Sequence, residues 1–153
     1  FFLTLNSLSH NSDSTKSVNN DSLSVKSQNV NSVYDLRKNS IYVELGGKGV
    51  FGSLNYDRII PVGDKSGIVL GVTVGFYVGV LPSVNYLYGK SKNFLEVGIG
   101  YSITEQIILP LIGYRYQGNK GFLFRVGGMY FQPVQPDSFG DIPMIGLSFG
   151  YSF

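Results

Sequence analysis

Three acidic and two basic side chains occupy the middle of strand-like segments: Glu44, Asp57, Glu96, Arg115 and Arg125. Paired carboxylates beside arginines can perform acid–base chemistry when their environments separate their pKa values. The same residues can instead form a buried charge network, which is often neutral in net stability but costs roughly 3–5 kcal/mol when one partner is lost. We favour the buried network, because the small barrel predicted below has an interior just filled by side chains. Catalysis or transport is the alternative.

The sequence lacks the residues that other kinds of catalytic site need. A serine hydrolase of the Ser–His type and a His-ligated metal site both need histidine, and the one histidine, His10, lies in a polar segment. There is no cysteine for a thiolate site. Residues 46–49, Gly-Gly-Lys-Gly, lack the spacing and the following helix of a phosphate loop, so we interpret them as a hairpin turn. We therefore expect no catalytic, metal-binding or cofactor-binding residues.

The composition argues against a helical membrane protein and against a nucleic-acid-binding protein. The 153 residues include 20 glycines, 11 tyrosines and 11 phenylalanines, and only 14% are charged. No run of apolar residues is long enough for a transmembrane helix. A net charge of +2 is too small to indicate a nucleic-acid partner.

The C-terminal segment shows how the charged residues are positioned. Residues Ile145, Leu147, Phe149, Tyr151 and Phe153 alternate with small ones that include Gly146, Ser148, Gly150 and Ser152. In a strand the two sets point to opposite faces. A half-exposed soluble sheet would carry charged side chains opposite its apolar face, whereas a transmembrane β-barrel turns apolar residues to lipid and small or polar ones to its interior.

The same alternation recurs in eight segments: residues 40–46, 50–60, 66–77, 80–89, 93–103, 107–117, 121–131 and 142–153. Connections rich in Gly, Pro, Asn and Asp separate most of them, and the connection near 77–79 has the weakest signal. An even number of up-and-down strands can close on itself, which removes free edges. The sequence thus predicts an all-β fold, an eight-stranded antiparallel up-and-down transmembrane β-barrel over residues 40–153.

All five mid-strand charges fall on the face predicted to point inward. On the lipid face, an arginine at mid-depth would cost about 2–4 kcal/mol. The opposite assignment, with the apolar rows inside, would describe a soluble ligand-binding barrel of the lipocalin type. Solubility without detergent would favour such a soluble ligand-binding barrel.

Aromatic residues cluster toward one end of the predicted barrel. With both termini in the periplasm, an aromatic girdle would lie near one membrane boundary, formed by Tyr56, Tyr86, Tyr88, Tyr114, Tyr116, Tyr151 and Phe153. The connections that start at Gly46, Tyr77, Thr104 and Gln132 would then face the cell exterior. Three of those four are short.

Residues 1–39 have a different composition from the rest. Between positions 6 and 40, 17 of 35 residues are Ser or Asn, and the apolar residues are scattered. Such a segment cannot bury enough apolar surface to offset its ordering entropy. We interpret residues 1–39 as a Ser/Asn-rich periplasmic tail or linker that binds a partner. The start, without a Met or a basic segment, is interpreted as mature or truncated chain.

Several segments together resemble a group of small, uncharacterised outer-membrane β-barrel proteins of Bacteroidota. The likeness lies in residues 41–58 (IYVELGGKGVFGSLNYDR), 84–90, 94–98, 112–116, 121–127 and 146–153. The aromatic ending at Phe153 is also similar to the C-terminal insertion signal of bacterial outer-membrane proteins. The resemblance implies a location in the outer membrane of a Gram-negative bacterium, and it implies no activity.

These observations lead to two main hypotheses. The first is a non-enzymatic scaffold or accessory subunit of an outer-membrane complex for assembly, secretion or transport. It would contact membrane lipids and protein partners through the barrel wall and the tail. The second is a narrow pore with a water path along glycines, namely Gly71, Gly98, Gly100, Gly113, Gly127 and Gly150.

Overall fold

Eight antiparallel strands form a closed barrel in the computed structural model, which describes residues 32–134 and 142–153. In chain order they are β1 (Asn39–Gly46), β2 (Gly52–Gly63), β3 (Ser66–Gly75), β4 (Gly79–Lys90), β5 (Asn93–Ser102), β6 (Ile107–Gln117), β7 (Phe122–Pro133) and β8 (Ile142–Ser152). Each strand pairs with its neighbours in sequence, and β8 pairs with β1. The prediction of an all-β, eight-stranded antiparallel up-and-down barrel is confirmed.

The largest difference in strand bounds concerns β2, which continues to Gly63 rather than ending near residue 60. Gly63 pairs with Ser66 after a register shift that begins at Pro61. Proline has no backbone N–H to donate, so strands accommodate it at such irregularities. The turn between β2 and β3 is consequently only Asp64 and Lys65, shorter than predicted.

The two ends of the barrel differ, and we name them by what they carry. The terminal end holds the start of β1, the end of β8 and the turns β2–β3, β4–β5 and β6–β7. The opposite end holds the connections β1–β2, β3–β4, β5–β6 and β7–β8.

Side chains alternate strictly between the outside and the interior. In β5, Leu95, Val97 and Ile99 are 45–53% exposed, while Phe94 and Glu96 between them are 1% exposed. The rows with Ile, Leu, Val and Tyr therefore form the outer wall, and the charged rows face inward. This arrangement is the reverse of a lipocalin-type barrel.

The interior has three layers along the barrel axis. An apolar layer at the terminal end consists of Val33, Leu36, Ile59, Val69, Leu87 and Phe94. A second apolar layer near the opposite end contains Val78, Leu81, Ile107, Leu109, Leu111, Met129 and Phe131. Between them lies a polar layer that holds the buried charged side chains.

The segment before β1 closes the terminal mouth. A 3₁₀ turn, Val33–Asp35, is fixed by a hydrogen bond from the Val33 N–H to the Asp64 carbonyl at 2.8 Å. The Gln117 side chain donates to the Arg37 carbonyl, also at 2.8 Å. The predicted boundary at residue 40 thus differs from the structure, because Val33 and Leu36 are buried in the barrel. Two apolar residues in a polar segment were too weak a signal.

Two predicted features fall outside the described residues, namely positions 1–31 of the tail and 135–141 of the last connection. In the part of the chain that is described, no helix has the length and apolar character needed to cross a bilayer.

The closed terminal mouth gives a stability prediction. Leu36 is 5% exposed, so Leu36→Ala should lower the free energy of unfolding by about 2–5 kcal/mol, through lost apolar contact and the cavity left behind. Tyr34→Ala is the matched control two residues away, since Tyr34 is 53% exposed and its loss should change stability by less than about 0.5 kcal/mol. Equilibrium urea unfolding measures both. Equally small effects would mean that residues 33–36 do not seal the barrel.

Candidate functional site

All five charged residues singled out in the sequence lie in the polar layer. Their exposed fractions are 3% for Glu44, 1% for Asp57, 1% for Glu96, 0% for Arg115 and 8% for Arg125. They come from five different strands, β1, β2, β5, β6 and β7, and the closure of the barrel brings them together. Each occupies an inward position of its strand, which is why alternation alone located them.

Arg115 and Asp57 form a two-pronged ion pair across the interior. Arg115 Nη1 lies 2.8 Å from Asp57 Oδ2, and Arg115 Nη2 lies 3.3 Å from Asp57 Oδ1. The same Nη2 donates to Ser40 Oγ at 2.9 Å. A planar guanidinium matches the two carboxylate oxygens in this geometry, which is among the stronger polar contacts in proteins.

Arg125 and Glu96 form the second ion pair, with Arg125 Nη2 and Glu96 Oε1 at 2.7 Å. Arg125 Nη1 donates to the Tyr42 hydroxyl, and its guanidinium carbon lies 4.7 Å from the centre of the Tyr42 ring. Asn85 also donates to Glu96 Oε1, at 2.6 Å. The other oxygen of Glu96 is 4.0 Å from Arg115 Nη1, so the two ion pairs form one network.

Glu44 is bound by the β1–β2 connection rather than by an arginine. The Lys48 backbone N–H donates to Glu44 Oε1 at 2.7 Å, and Ser148 Oγ donates to Glu44 Oε2 at 3.3 Å. The Lys48 side chain is 2% exposed and reaches the Tyr42 hydroxyl, with Nζ at 3.5 Å. Burial and the nearby Arg125 lower the pKa of Lys48 below its usual range, while Glu44 acts in the opposite direction.

Lys48 is the residue that sequence reasoning missed. The turn at residues 46–49 was predicted, yet its lysine points into the barrel and not into solvent. Three predicted interior acids against two arginines left one acid without a basic partner. That imbalance, next to a lysine in the adjacent turn, is the signal that could have indicated it.

The backbone of this connection is shaped to place Lys48 inside. Gly47 has φ +59°, and a Cβ there would lie 2.0 Å from Glu44 Oε1, so only glycine fits. Val50 has φ 64° and ψ −61°, and the Phe51 N–H donates to the Gly49 carbonyl at 2.8 Å. This is a classic γ-turn, which is rare and strained, above all for a β-branched residue. The packing of the inward-turned connection holds that conformation.

The polar layer offers little room for a ligand. The cavity beside Glu44, Lys48, Glu96 and Arg125 has a volume of about 20 Å³, enough for one water molecule. Apolar layers separate it from both ends of the barrel. Residues 32–134 and 142–153 contain no group of three His, Cys, Asp or Glu side chains arranged to hold a metal ion. The geometry therefore suits a structural charge network better than acid–base chemistry on a substrate.

Neighbouring groups cover the glycines along which a water path was predicted. A Cβ at Gly98 would lie 2.0 Å from Asn85 Oδ1, and one at Gly150 would lie 2.3 Å from Tyr42 Cβ. Leu81 covers Gly100, and Ser83 covers Gly71. Gly113 lies directly against the backbone of β7, and Gly127 lies directly against the backbone of β6. These glycines provide space for side chains of adjacent strands, and the space is filled.

The predicted aromatic girdle lies on the outer wall in the terminal half of the barrel. Tyr56, Tyr86, Tyr88, Tyr114, Tyr151 and Phe153 are 40–53% exposed, and Tyr116 is half-buried beside Phe122. Tyr56 donates to Asn39 Oδ1 at 3.1 Å and Tyr114 donates to Asn93 Oδ1 at 2.5 Å. Because Asn39 and Asn93 begin β1 and β5, these hydroxyls point toward the terminal end.

A second set of exposed aromatic residues lies toward the opposite end and was not predicted. It consists of Phe51, Phe76, Tyr101 and Tyr130, with exposed fractions of 79%, 93%, 43% and 40%. Alternation had assigned Phe76, Tyr101 and Tyr130 to outward rows, but not to a set at this end of the barrel. In the structure Phe51 and Phe76 lie in connections and not in the strands predicted over 50–60 and 66–77.

Comparisons of this chain with protein-family models, with curated proteins and with solved structures give no match. The resemblance to small barrels of Bacteroidota stays a prediction. Function must be argued from the barrel's own residues.

The ion pair of Arg125 and Glu96 can be tested with a double-mutant cycle. Arg125→Met and Glu96→Gln should each lower the free energy of unfolding by about 3–5 kcal/mol, because each leaves a buried partner uncompensated. The double variant should lose less than the sum of the two by about 0.5–3 kcal/mol. Lys120→Met, an exposed cation, is the control and should change stability by less than about 0.5 kcal/mol. Additive losses in urea unfolding would show that the two side chains do not interact.

Proposed function

We propose that this chain is a small outer-membrane β-barrel that neither conducts nor catalyses, and that it works as a scaffold or accessory subunit of a membrane protein complex. The observation that carries the proposal is the combination of an apolar outer wall, on which Arg58 is the one charged side chain among the described residues, with a filled, charged interior. The proposed location is the outer membrane of a Gram-negative bacterium, with both termini in the periplasm, as the resemblance to Bacteroidota barrels implies.

The distribution of charge supports a lipid-facing wall. Of the sixteen Asp, Glu, Lys and Arg residues in the described ranges, six lie in the interior and nine lie at the two ends. The other, Arg58, points outward from β2 five residues before the end of the strand, and its long side chain can extend toward the terminal end. Elsewhere the wall exposes aliphatic residues such as Leu54, Val72, Val97 and Ile145 at 42–73%. An apolar surface of this extent in water would be costly, since soluble monomers rarely expose contiguous apolar patches larger than a few hundred Å².

The closed barrel also suits a bilayer. Every strand has two hydrogen-bonded neighbours, so no strand edge is exposed to lipid, where an unpaired backbone group would cost several kcal/mol. The strands of 8–12 residues are close to the length that a tilted membrane strand needs. The two sets of exposed aromatic residues, one toward each end, are typical of the two membrane boundaries.

The filled interior favours a role carried out by surfaces. Side chains cover the inward glycines, the polar layer has room for about one water molecule, and apolar layers lie on both sides of it. A pore along this axis would require the Lys48 connection and the Val33–Asp35 turn to move out together. The surfaces left for function are the outer wall, the two ends and the N-terminal segment. They are the parts through which an accessory subunit would contact its partners.

The lipid-facing wall predicts a depth-dependent cost of charge. Val97→Arg, in the middle of β5, should lower the free energy of folding into phosphatidylcholine vesicles by about 2–4 kcal/mol. Val62→Arg is the matched control near the end of β2 and should cost about 0–1 kcal/mol. Urea titration of the vesicle-inserted protein measures both values. Equal costs at the two sites, or a wild type that stays monomeric in buffer without detergent, would contradict a lipid-facing wall.

Purification from native membranes in mild detergent tests the subunit role. We expect at least one other chain to co-purify with the full-length protein in fixed proportion. The amount of that second chain should change when residues 1–31 are removed. A barrel recovered alone in both forms would contradict the subunit role. In planar bilayers the pure protein should show no steady conductance, whereas a conductance that changes with Arg125→Ala would favour the pore.

A further inference from the structure

Exposed charge on this barrel is concentrated at one end. Six basic residues lie at the terminal end, namely Arg37, Lys38, Lys65, Lys90, Lys92 and Lys120. Only two acids, Asp35 and Asp64, lie there with them. Within the described ranges, the opposite end exposes one charged side chain, that of Glu105. The polar-layer network uses none of these residues.

The basic residues surround the whole circumference. Lys65, Lys90 with Lys92, and Lys120 occupy the three turns of the terminal end, and Lys38 precedes β1 where the barrel closes. Backbone hydrogen bonds join each turn to the next hairpin, for example from Gly89 to the Lys65 carbonyl at 2.8 Å. We call the four exposed members, Lys38, Lys65, Lys90 and Lys120, the basic ring.

The basic ring lies immediately beyond the aromatic girdle. Lys90, the last residue of β4, follows Tyr88 on the outward face of that strand. Two residues along a strand correspond to roughly 6.5 Å. A long basic side chain at this position can lay its methylene stem along the wall and extend its charge toward the aqueous side. None of the four residues of the ring forms a salt bridge with another described residue.

We propose that the basic ring binds the anionic headgroups of the phospholipids that surround the terminal end. This inference depends on the proposed membrane location. A protein partner would contact one side of the barrel, whereas these cations are present on all sides, and only the headgroup layer surrounds a membrane barrel completely. The ring thereby fixes the depth of the terminal end and prefers a leaflet that contains anionic lipid.

The test uses the full-length protein in phosphatidylcholine bilayers with a trace of spin-labelled phosphatidylglycerol or spin-labelled phosphatidylcholine. Electron paramagnetic resonance gives the relative affinity of the barrel for the two lipids. We expect phosphatidylglycerol to bind about fivefold more tightly than phosphatidylcholine, because one basic side chain near an anionic headgroup contributes about 1 kcal/mol. Salt screens exposed charges, so the preference should decrease at high salt. Replacing all four residues of the basic ring by glutamine should abolish the preference.

Two matched variants separate charge from structure. Arginine at Lys38, Lys65, Lys90 and Lys120 keeps the charge at the same positions and should retain the preference, while Asp64→Asn should increase it. Loss of preference in the arginine variant, or a preference that survives the glutamine replacements, would overturn the proposal. Phosphate and NaCl at equal ionic strength should weaken the preference equally. A much larger effect of phosphate would indicate a site for the free anion and would also overturn it.

Flotation with neutral vesicles distinguishes this inference from the proposed function. A wild type that does not float with phosphatidylcholine vesicles would contradict the membrane location itself. A wild type that floats but binds the two labelled lipids equally would contradict only the role of the basic ring.

Discussion

Six ionisable side chains, three acidic and three basic, meet in the middle of the barrel, and each has a polar partner there. Taking a charge out of water costs several kcal/mol unless a partner and hydrogen bonds offset it. The network therefore constrains everything around it. Five strands and one connection must keep their register for Arg115, Arg125 and Lys48 to reach the groups that bind them, and a shift of one residue would turn these side chains to the outside.

The apolar layers and the network depend on one another. The layers around Leu36 and Leu109 keep water away from the charges, so each ion pair is poorly screened and its loss is costly. In return, the network fills the wide middle of the barrel with side chains that must stay in place. The cavity in the polar layer has room for about one water molecule, so the functional proposals concern the wall and the ends.

Charged and apolar residues also occupy separate zones on the outside of the barrel, and these zones bear on its function. The wall is apolar apart from Arg58, the terminal end is basic and the opposite end is apolar and aromatic, with Phe76 93% exposed. A protein in water gains nothing from such zones. In a bilayer each zone would face a different environment, so the surface would fix both depth and direction. An accessory subunit needs both, because its partners contact it at defined heights.

The sequence by itself determined the strand number, the closed up-and-down order and the inward side of Glu44, Asp57, Glu96, Arg115 and Arg125. These follow from local rules, since alternation assigns faces and Gly-rich or Asn-rich connections mark turns. It did not determine which charges pair, because Arg115 and Asp57 are 58 residues apart and only closure brings them together. Only the tertiary structure placed Lys48 and Leu36 inside. Both lie in irregular segments without periodicity, where the space left by the strands, and not the local pattern, decides which side chain is buried.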